Sequence, residues 1–558
     1  MIQRPKLNWE WRYYLLDSQS AMLVREEGEI VISGALPVAL LPYLDGTHTL
    51  TEIVEALNGK FRRDHIYYAL LKLQKEGYIS DAVLDVQQVP SKVRLRTFGN
   101  LSKEAFEELL KTSGMEIGGS EGLLLVLAED YLLPELSTLN QQALETGEPW
   151  LLARPLGKHL LLGPLFIPHE TACWECLAYR MRCINPVKDL LASLSGEARP
   201  LTPPLENSQP TPVLASALLA RQIQLQGAER LKNRILSLDT TTFALEEHTV
   251  FHRPQCPVCG DSSLAKANSH FVLQSRKKTQ QDDGGHRTAT SVETFERYRS
   301  HISPFSGTLP LVAPIGEPIE GVYAYVAGPN MALPKQATLA ALRSTLRSSS
   351  MGKGMTEMQA KVGALCEALE RYSFLYQGDS STHWSRLSDL GEQAIDPRSV
   401  LLFSEDQYDR CEETNKSADR FNIVPERFDP AERIEWTPIR SLVSDSQKYL
   451  ATAQCWFRYG YGEGKHFANA CSNGCASGNT LEEAMFQGLM ELIERDSVAL
   501  WWYNRTSAPR VDLNTFNLPS LEQTVESYRV RGRRDLWALD LTSDTGIPVF
   551  AAISTNRE

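Results

Sequence analysis

Residues 348–373 read SSSMGKGMTEMQAKVGALCEALERYS, and residues 470–497 read ACSNGCASGNTLEEAMFQGLMELIERDS. Laid over each other they repeat one frame. Gly354, Thr356, Gln359, Ala360, Glu367, Glu370 and Arg371 return as Gly478, Thr480, Glu483, Ala484, Glu491, Glu494 and Arg495, each 124 residues on. A threonine three residues before Gln or Glu is a helix-opening capping box, and a glycine just ahead of it permits a turn. Ala364, Leu365, Ala368 and Leu369 in one helix, and Phe486, Leu489, Met490 and Ile493 in the other, supply apolar surface. The two glutamates of each copy, three apart, project from one face. Acidic pairs on helices of this kind are costly unless a cation joins them. If the copies pack about a pseudo-twofold axis, Glu367, Glu370, Glu491 and Glu494 converge. Four carboxylates suit a hard divalent cation such as Mg2+, which would bring triphosphate oxygens with it. The alternative is two solvated faces with Arg371 and Arg495 as local partners. Cys366, Cys471 and Cys475 lie near these motifs and read as packing residues, not nucleophiles.

A second signal is cysteine spacing. Cys173 and Cys176 form one C-x-x-C pair, Cys256 and Cys259 another, with 79 residues between the pairs. Together they offer four thiolates for tetrahedral Zn2+. The separation exceeds a compact zinc ribbon, so the fold must bring the pairs together. Around them, Leu123–Leu127 reads as a buried strand, Pro134–Glu145 as a helix, Trp150–Arg154 and His159–Leu162 as strands, and Thr211–Glu229 as a helix. Strands alternating with helices predict an α/β domain over residues 90–265.

Ahead of it, Tyr13–Asp17, Ala21–Arg25 and Glu29–Ser33 read as strands punctuated by Gly28 and Gly34. Helices follow over Ala35–Leu44, from the Thr49/Glu52 capping box to Gly59, and from near Asp64 to Gly77. Three strands on three helices predict a winged-helix domain over residues 1–88. Its third helix carries Arg62, Arg63, Lys72 and Lys75, diluted by Asp64 and Glu76, which weighs against DNA. Residues 266–300 are polar and predict an exposed linker, with His286 a solvated loop histidine. Residues 301–558 then form the α+β domain that holds the repeat.

Composition narrows the partners. A net charge of −12 over 558 residues excludes nucleic acid or an anionic membrane as the main partner. No apolar run reaches the roughly 18 residues of a membrane span, and the N-terminus has no signal core. The expected compartment is the cytoplasm, where the ten cysteines serve as metal ligands and buried thiols rather than disulfides.

The two repeated stretches resemble the signatures of the YcaO cyclodehydratases, which make azoline rings in ribosomal peptides. The resemblance implies an ATP site without a P-loop. In it, Glu367, Glu370, Glu491 and Glu494 hold Mg2+, and Lys353, Ser472, Asn473, Gln487 and Arg495 line the nucleotide. The stretches LPYLDGTHTLTEIVEAL (41–57) and LQKEGYIS (73–80) resemble a leader-recognition domain. That resemblance implies that a precursor's leader peptide adds to the third strand, Glu29, Ile30, Val31, Ile32 and Ser33, and packs on the third helix. GPLFIPHETACWECLAYR (163–180) resembles a ThiF-like adenylating fold. The glycine-rich loop of active members is replaced by VRLRTFGNLSKEAF (93–106), with Gly99 alone, so nucleotide binding there is expected to be lost and the domain to serve as scaffold.

In the family, a Cys, Ser or Thr side chain attacks the preceding amide carbon. ATP phosphorylates the resulting oxygen, and loss of phosphate leaves thiazoline or oxazoline. Other readings are a YcaO enzyme forming thioamides or amidines, and a non-catalytic scaffold that captures leader peptide. Further partners implied are the core of the precursor, a downstream oxidase or protease, and a second copy, since family members are commonly dimeric. The family normally continues well past the final IPVFAAISTNRE (547–558). The expectation is therefore a catalytic domain incomplete at Glu558, in a chain that alone binds leader without closing rings. It would be a gene fragment, one half of a split enzyme or a shortened piece.

Overall fold

The structure is a computed structural model. It describes residues 2–82, 92–119, 121–185, 187, 210–226, 228–261, 263–264, 271–280, 285–316, 319, 321–329, 349–417, 423–460 and 467–557. The expected boundary between residues 88 and 90, and residues 266–270 and 281–284 of the expected linker, lie outside these. Contacts divide the chain into a first unit of residues 1–93, 114–116 and 220–227, and a second unit made of the rest.

In the first unit, β2 (Arg12–Leu15), β3 (Ser20–Arg25) and β4 (Gly28–Ser33) form an antiparallel sheet in sequence order. The helices are α1 (Ala35–Leu40), α2 (Leu50–Leu57) and α3 (Arg63–Lys75). The Thr49/Glu52 capping box closes in both directions at the start of α2. A small sheet of β1 (Pro5–Leu7) and β5 (Ile79–Asp81) was not foreseen, because its strands are three residues long and far apart in sequence. The core gathers Leu23, Leu40, Ile53, Ile66 and Leu70. Among the described residues β4 is paired on one side only. It turns Ile32 inward and leaves Val31 exposed.

A seven-stranded sheet, most of it in the second unit, runs in the order β12-β11-β10-β9-β8-β6-β7. Its strands are β6 (Lys92–Phe98), β7 (Glu116–Ile117), β8 (Leu123–Ala128), β9 (Trp150–Arg154), β10 (His159–Phe166), β11 (Arg234–Asp239) and β12 (Leu245–Thr249). β8 and β9 run parallel; β9 to β12 are antiparallel neighbours. Helices α4 (Lys103–Thr112), α5 (Pro134–Thr146), α6 (Trp174–Ile184) and α7 (Pro210–Gln226) accompany it. Val126, Leu136, Leu152 and Trp174 share its main core.

The stretch read as a linker is built into the fold among its described residues. Ser291–Tyr298 is a helix, α8, with its own Thr290/Glu293 capping box. The Gln274 amide donates to Glu482 (2.8 Å), and Thr288 bonds Glu483 through its amide and hydroxyl. His286 lies 2.8 Å from the Lys278 ammonium. Polar composition here reflects polar docking rather than free chain.

Beyond it, β13 (Ala313–Pro314), β14 (Tyr323–Pro329) and β15 (Ser349–Gly354) form a sheet carrying α9 (Glu357–Ser373). A second sheet joins β16 (His383–Ser385), β17 (Ile434–Arg440) and β18 (Gln447–Ala451). The long α10 (Leu481–Asn504) and α11 (Pro519–Val530) precede the hairpin of β19 (Arg534–Asp540) and β20 (Phe550–Asn556).

Candidate functional site

The four cysteines come together. Cys173 caps α6 and Cys176 lies in its first turn. Cys256 and Cys259 sit on the loop after β12, which Gly260 lets turn tightly: a Cβ there would lie 2.2 Å from the Pro254 carbonyl oxygen. All four sulfurs lie within 4.8 Å of one another. Cys173 is 4.0 Å from Cys176 and 3.6 Å from Cys256, and Cys176 is 3.5 Å from Cys259. A tetrahedron with Zn–S bonds of about 2.3 Å has edges of about 3.8 Å, so the thiols fit zinc without rearrangement. Hydrogen bonding within the cluster splits the four thiols, pulling Cys256 and Cys176 down and pushing Cys173 and Cys259 up, as thiols in contact share their protons. Among the described residues this is the only group of three or more metal-ligating side chains so close together.

The repeated frame persists in three dimensions. Thr356 accepts from the Gln359 amide and Thr480 from the Glu483 amide. The return bond goes to the residue before each cap: Met355 N–H to Gln359 at 2.6 Å, Asn479 N–H to Glu483 at 2.9 Å. The first glutamate of each copy takes an amide from the segment ahead of its helix (β15 in the first copy, a loop in the second) and an arginine one turn on. Glu367 accepts from Met351 (2.9 Å) and Arg371 (3.2 Å); Glu491 accepts from Gly474 (3.2 Å) and Arg495 (3.2 Å).

Glu370 joins the two copies. Arg371 donates to it at 2.9 Å, and its side chain is 9% exposed. Burial pushes its carboxyl up to about 7. Arg371 and the Ser477 amide oppose this, while the charges of Glu367 and Glu491 add to it. Three of the four expected carboxylates, Glu367, Glu370 and Glu491, thus share one neighbourhood. Glu494 is exposed. Arg371 meets part of the charge, as the local-partner alternative supposes, but does not offset the burial of Glu370. Cys366 and Cys475 are partly buried, and burial raises both thiols to about 11, which agrees with packing roles; Cys471 is exposed, against its reading as a buried packing residue.

The other expected nucleotide residues differ in exposure. Lys353 is exposed on β15, Asn473 is exposed, and Ser472 and Gln487 are half-buried. Arg495 is committed to Glu491. One feature escaped the sequence reading: a cleft of about 470 Å³ at the start of α10, lined by Arg276, Lys277, Thr288, Arg297, Asn479 and Thr480. The clue was the Arg276-Lys277-Lys278 run, which composition assigned to the linker.

At Gly99, an added Cβ would lie 2.3 Å from the Glu129 side chain, whose carboxylate accepts the Asn100 amide at 2.9 Å. The Glu129 carboxylate thus sits against the turn at Gly99 and takes one of its amides.

Residues 351–558 match the family described as YcaO cyclodehydratase, ATP- and Mg2+-binding, and residues 7–81 match a winged helix-turn-helix domain. A solved heterocyclase in complex with substrate and cofactor is 35% identical, with a TM-score of 0.83 over 100% of this chain and 78% of its own. The heterocyclase TruD is 31% identical, with a TM-score of 0.70 and the same coverage. An uncharacterized protein of Methanothermobacter thermautotrophicus is 29% identical over 204 residues, 36% of this chain and 47% of its own. The chain spans about half the length of the curated relatives it matches.

Proposed function

The chain belongs to the YcaO cyclodehydratase family, and from that premise we propose that it converts Cys, Ser or Thr residues of a ribosomally made precursor peptide to thiazoline or oxazoline at the expense of ATP. The observation that carries this is Glu370. It is a buried carboxylate raised to about 7 beside Glu367 and Glu491, where a divalent cation would relieve the crowded negative charge and in turn bind triphosphate oxygens.

Mg2+, when bound, neutralises charge on the transferring phosphoryl group. Glu367, Glu370 and Glu491 are the residues that would hold it, with Glu494 at the rim. Arg371 and Arg495 keep the carboxylates oriented. The cleft bearing Arg276, Lys277 and Arg297 supplies positive charge for triphosphate oxygens, and Lys353, Ser472, Asn473 and Gln487 are the further nucleotide contacts in this reading. The peptide's own thiol or hydroxyl attacks the preceding carbonyl carbon. The resulting oxygen takes the γ-phosphoryl group, leaving ADP, and departs as phosphate.

In this reading the winged-helix unit tethers the leader along Glu29–Ser33 and so raises the local concentration of the core peptide. The seven-stranded domain acts as a ThiF-like scaffold: its phosphate-loop position is closed by Glu129, and its four cysteines hold structural zinc.

The test combines protein, ATP, Mg2+ and a cognate precursor. Peptide-dependent release of ADP, with loss of one water from the peptide per ring, is the expected result. Glu370→Gln should lower it about a hundredfold. Exchange of oxygen for sulfur in the product, or ATP turnover indifferent to peptide, would overturn the assignment.

A further inference from the structure

The four-cysteine cluster and the carboxylate centre are joined by a short chain of side chains. Helix α6 begins at the cysteines and carries Arg180 one turn beyond Cys176 and Ile184 a further turn on. The Arg180 guanidinium is buried. It lies 4.3 Å from the centroid of the Tyr372 ring and donates to Thr308 at 2.7 Å. Tyr372 directly follows Glu370 and Arg371 on α9.

A second arginine makes the same connection from the other cysteine pair. The Arg253 amide donates to Cys176 sulfur at 3.4 Å, three residues ahead of Cys256. Its guanidinium stacks 3.3 Å from the Tyr179 ring centroid, donates to Gln377 at 2.9 Å, and lies beside Tyr372. Ile184 then packs with Leu375 and Phe457 in a small cluster bordered by Tyr372, Phe374 and Ala470. Tyr372 follows Arg371, the last matched residue of the first copy, and Ala470 lies shortly ahead of Gly478, the first matched residue of the second. The helix that starts at the cysteines therefore presses where the two halves of the site meet.

We propose that Arg180 and Arg253 are positioning residues that transmit the geometry of the cysteine cluster to the C-terminal end of α9, so that the cluster sets the affinity of the carboxylate centre for Mg2+-ATP. The proposal rests on the nucleotide reading above. A cation over an aromatic ring in a desolvated site is strong enough to fix a helix end. Carboxylates that share a metal tolerate little displacement. A surface salt bridge could not do this, because solvent would screen it.

The test uses the whole chain, zinc-loaded, with Arg180→Met, Arg180→Lys, Tyr372→Leu and Tyr372→Phe. Metal content and thermal unfolding establish that each variant is folded; any that is not is replaced by Arg253→Met. Mg2+-ATP affinity is measured by calorimetry. Hydrogen exchange is followed at the Cys366–Ser373 amides before and after zinc is removed with a chelator. Arg180→Met and Tyr372→Leu should weaken Mg2+-ATP about tenfold, with Arg180→Lys and Tyr372→Phe within about twofold of the parent. Chelation should speed exchange at these amides in the parent but hardly further in Arg180→Met. Folded, zinc-loaded Arg180→Met and Tyr372→Leu with parental affinity would overturn the proposal. A parent that binds no Mg2+-ATP would sink the nucleotide reading instead. The exchange data then decide the link alone: identical exchange in Arg180→Met and Arg180→Lys refutes it.

Discussion

His301 shows how one residue registers the seam between the seven-stranded sheet and the region that holds the repeat. Its ring stacks on Phe251 at 4.3 Å, with Tyr298 beside it, and Nδ1 lies 2.9 Å from the Thr308 hydroxyl. Thr308 accepts from Arg180, which leaves its proton for an unprotonated Nδ1. Burial, with the Arg180 charge adding, holds the imidazole down to about 4 from an ordinary 6.5. The unfolded chain therefore takes up the proton first as the pH falls. The contribution is intact above about pH 6.5 and is lost progressively as pH falls to about 4. Against His301→Gln, the parent should lose about 3 kcal/mol more stability between about pH 7 and about pH 4. Urea unfolding across that range checks this; parallel slopes in the two proteins would show that His301 does not titrate as a buried group.

At the scale of elements, the repeat shows how a duplicated frame keeps its packing while changing its residues. Gly352 on β15 faces α9 so closely that a Cβ would meet the Ala360 oxygen and the Ala364 nitrogen at 2.1 Å. The positions 124 residues on from Gly352 and Ala364 are Ala476 and Gly488. There the helix supplies the glycine, whose Cβ would meet the Gly474 oxygen at 2.5 Å. One small residue per contact suffices, on either side. Gly352→Ala and Gly488→Ala should each cost about 2–3 kcal/mol through backbone overlap. Thermal unfolding within error of the parent would mean that the segments separate freely. The repeat itself was legible, since capping and spacing are local. So were β2 to β4, α2 and β9, where alternation and turn residues sit within a few positions. The partners of the expected linker were not, because Asn479, Glu482 and Glu483 lie about two hundred residues away in sequence. Nor was the contrast between an exposed Glu494 and a largely buried Glu370 side chain, since helix spacing places both glutamates of a copy on one face without deciding what that face meets.

The whole molecule has two units, each with its own buried core, and this separation makes the proposed division of labour testable in one protein. N–H groups alternate sides along a strand, and β4 is paired only with β3 among the described residues. One of Val31 and Ile32 therefore directs its amide to the open edge, where proline removes a donor. The cysteine cluster lies wholly in the second unit, and structural zinc contributes folding energy directly. One of Val31→Pro and Ile32→Pro should weaken leader peptide binding by about tenfold or more and leave Mg2+-ATP affinity unchanged. Cys256→Ser should do the reverse: it should destabilise the second unit by more than about 4 kcal/mol and lose its zinc, while leader binding persists. Leader affinity by fluorescence anisotropy, metal analysis and thermal unfolding of the three variants together read both halves. Leader binding intact in both proline variants would remove strand addition at β4. Freshly purified parent without zinc, or Cys256→Ser as stable as the parent, would remove the metal's structural role. Loss of leader binding in Cys256→Ser would show that the units are not independent.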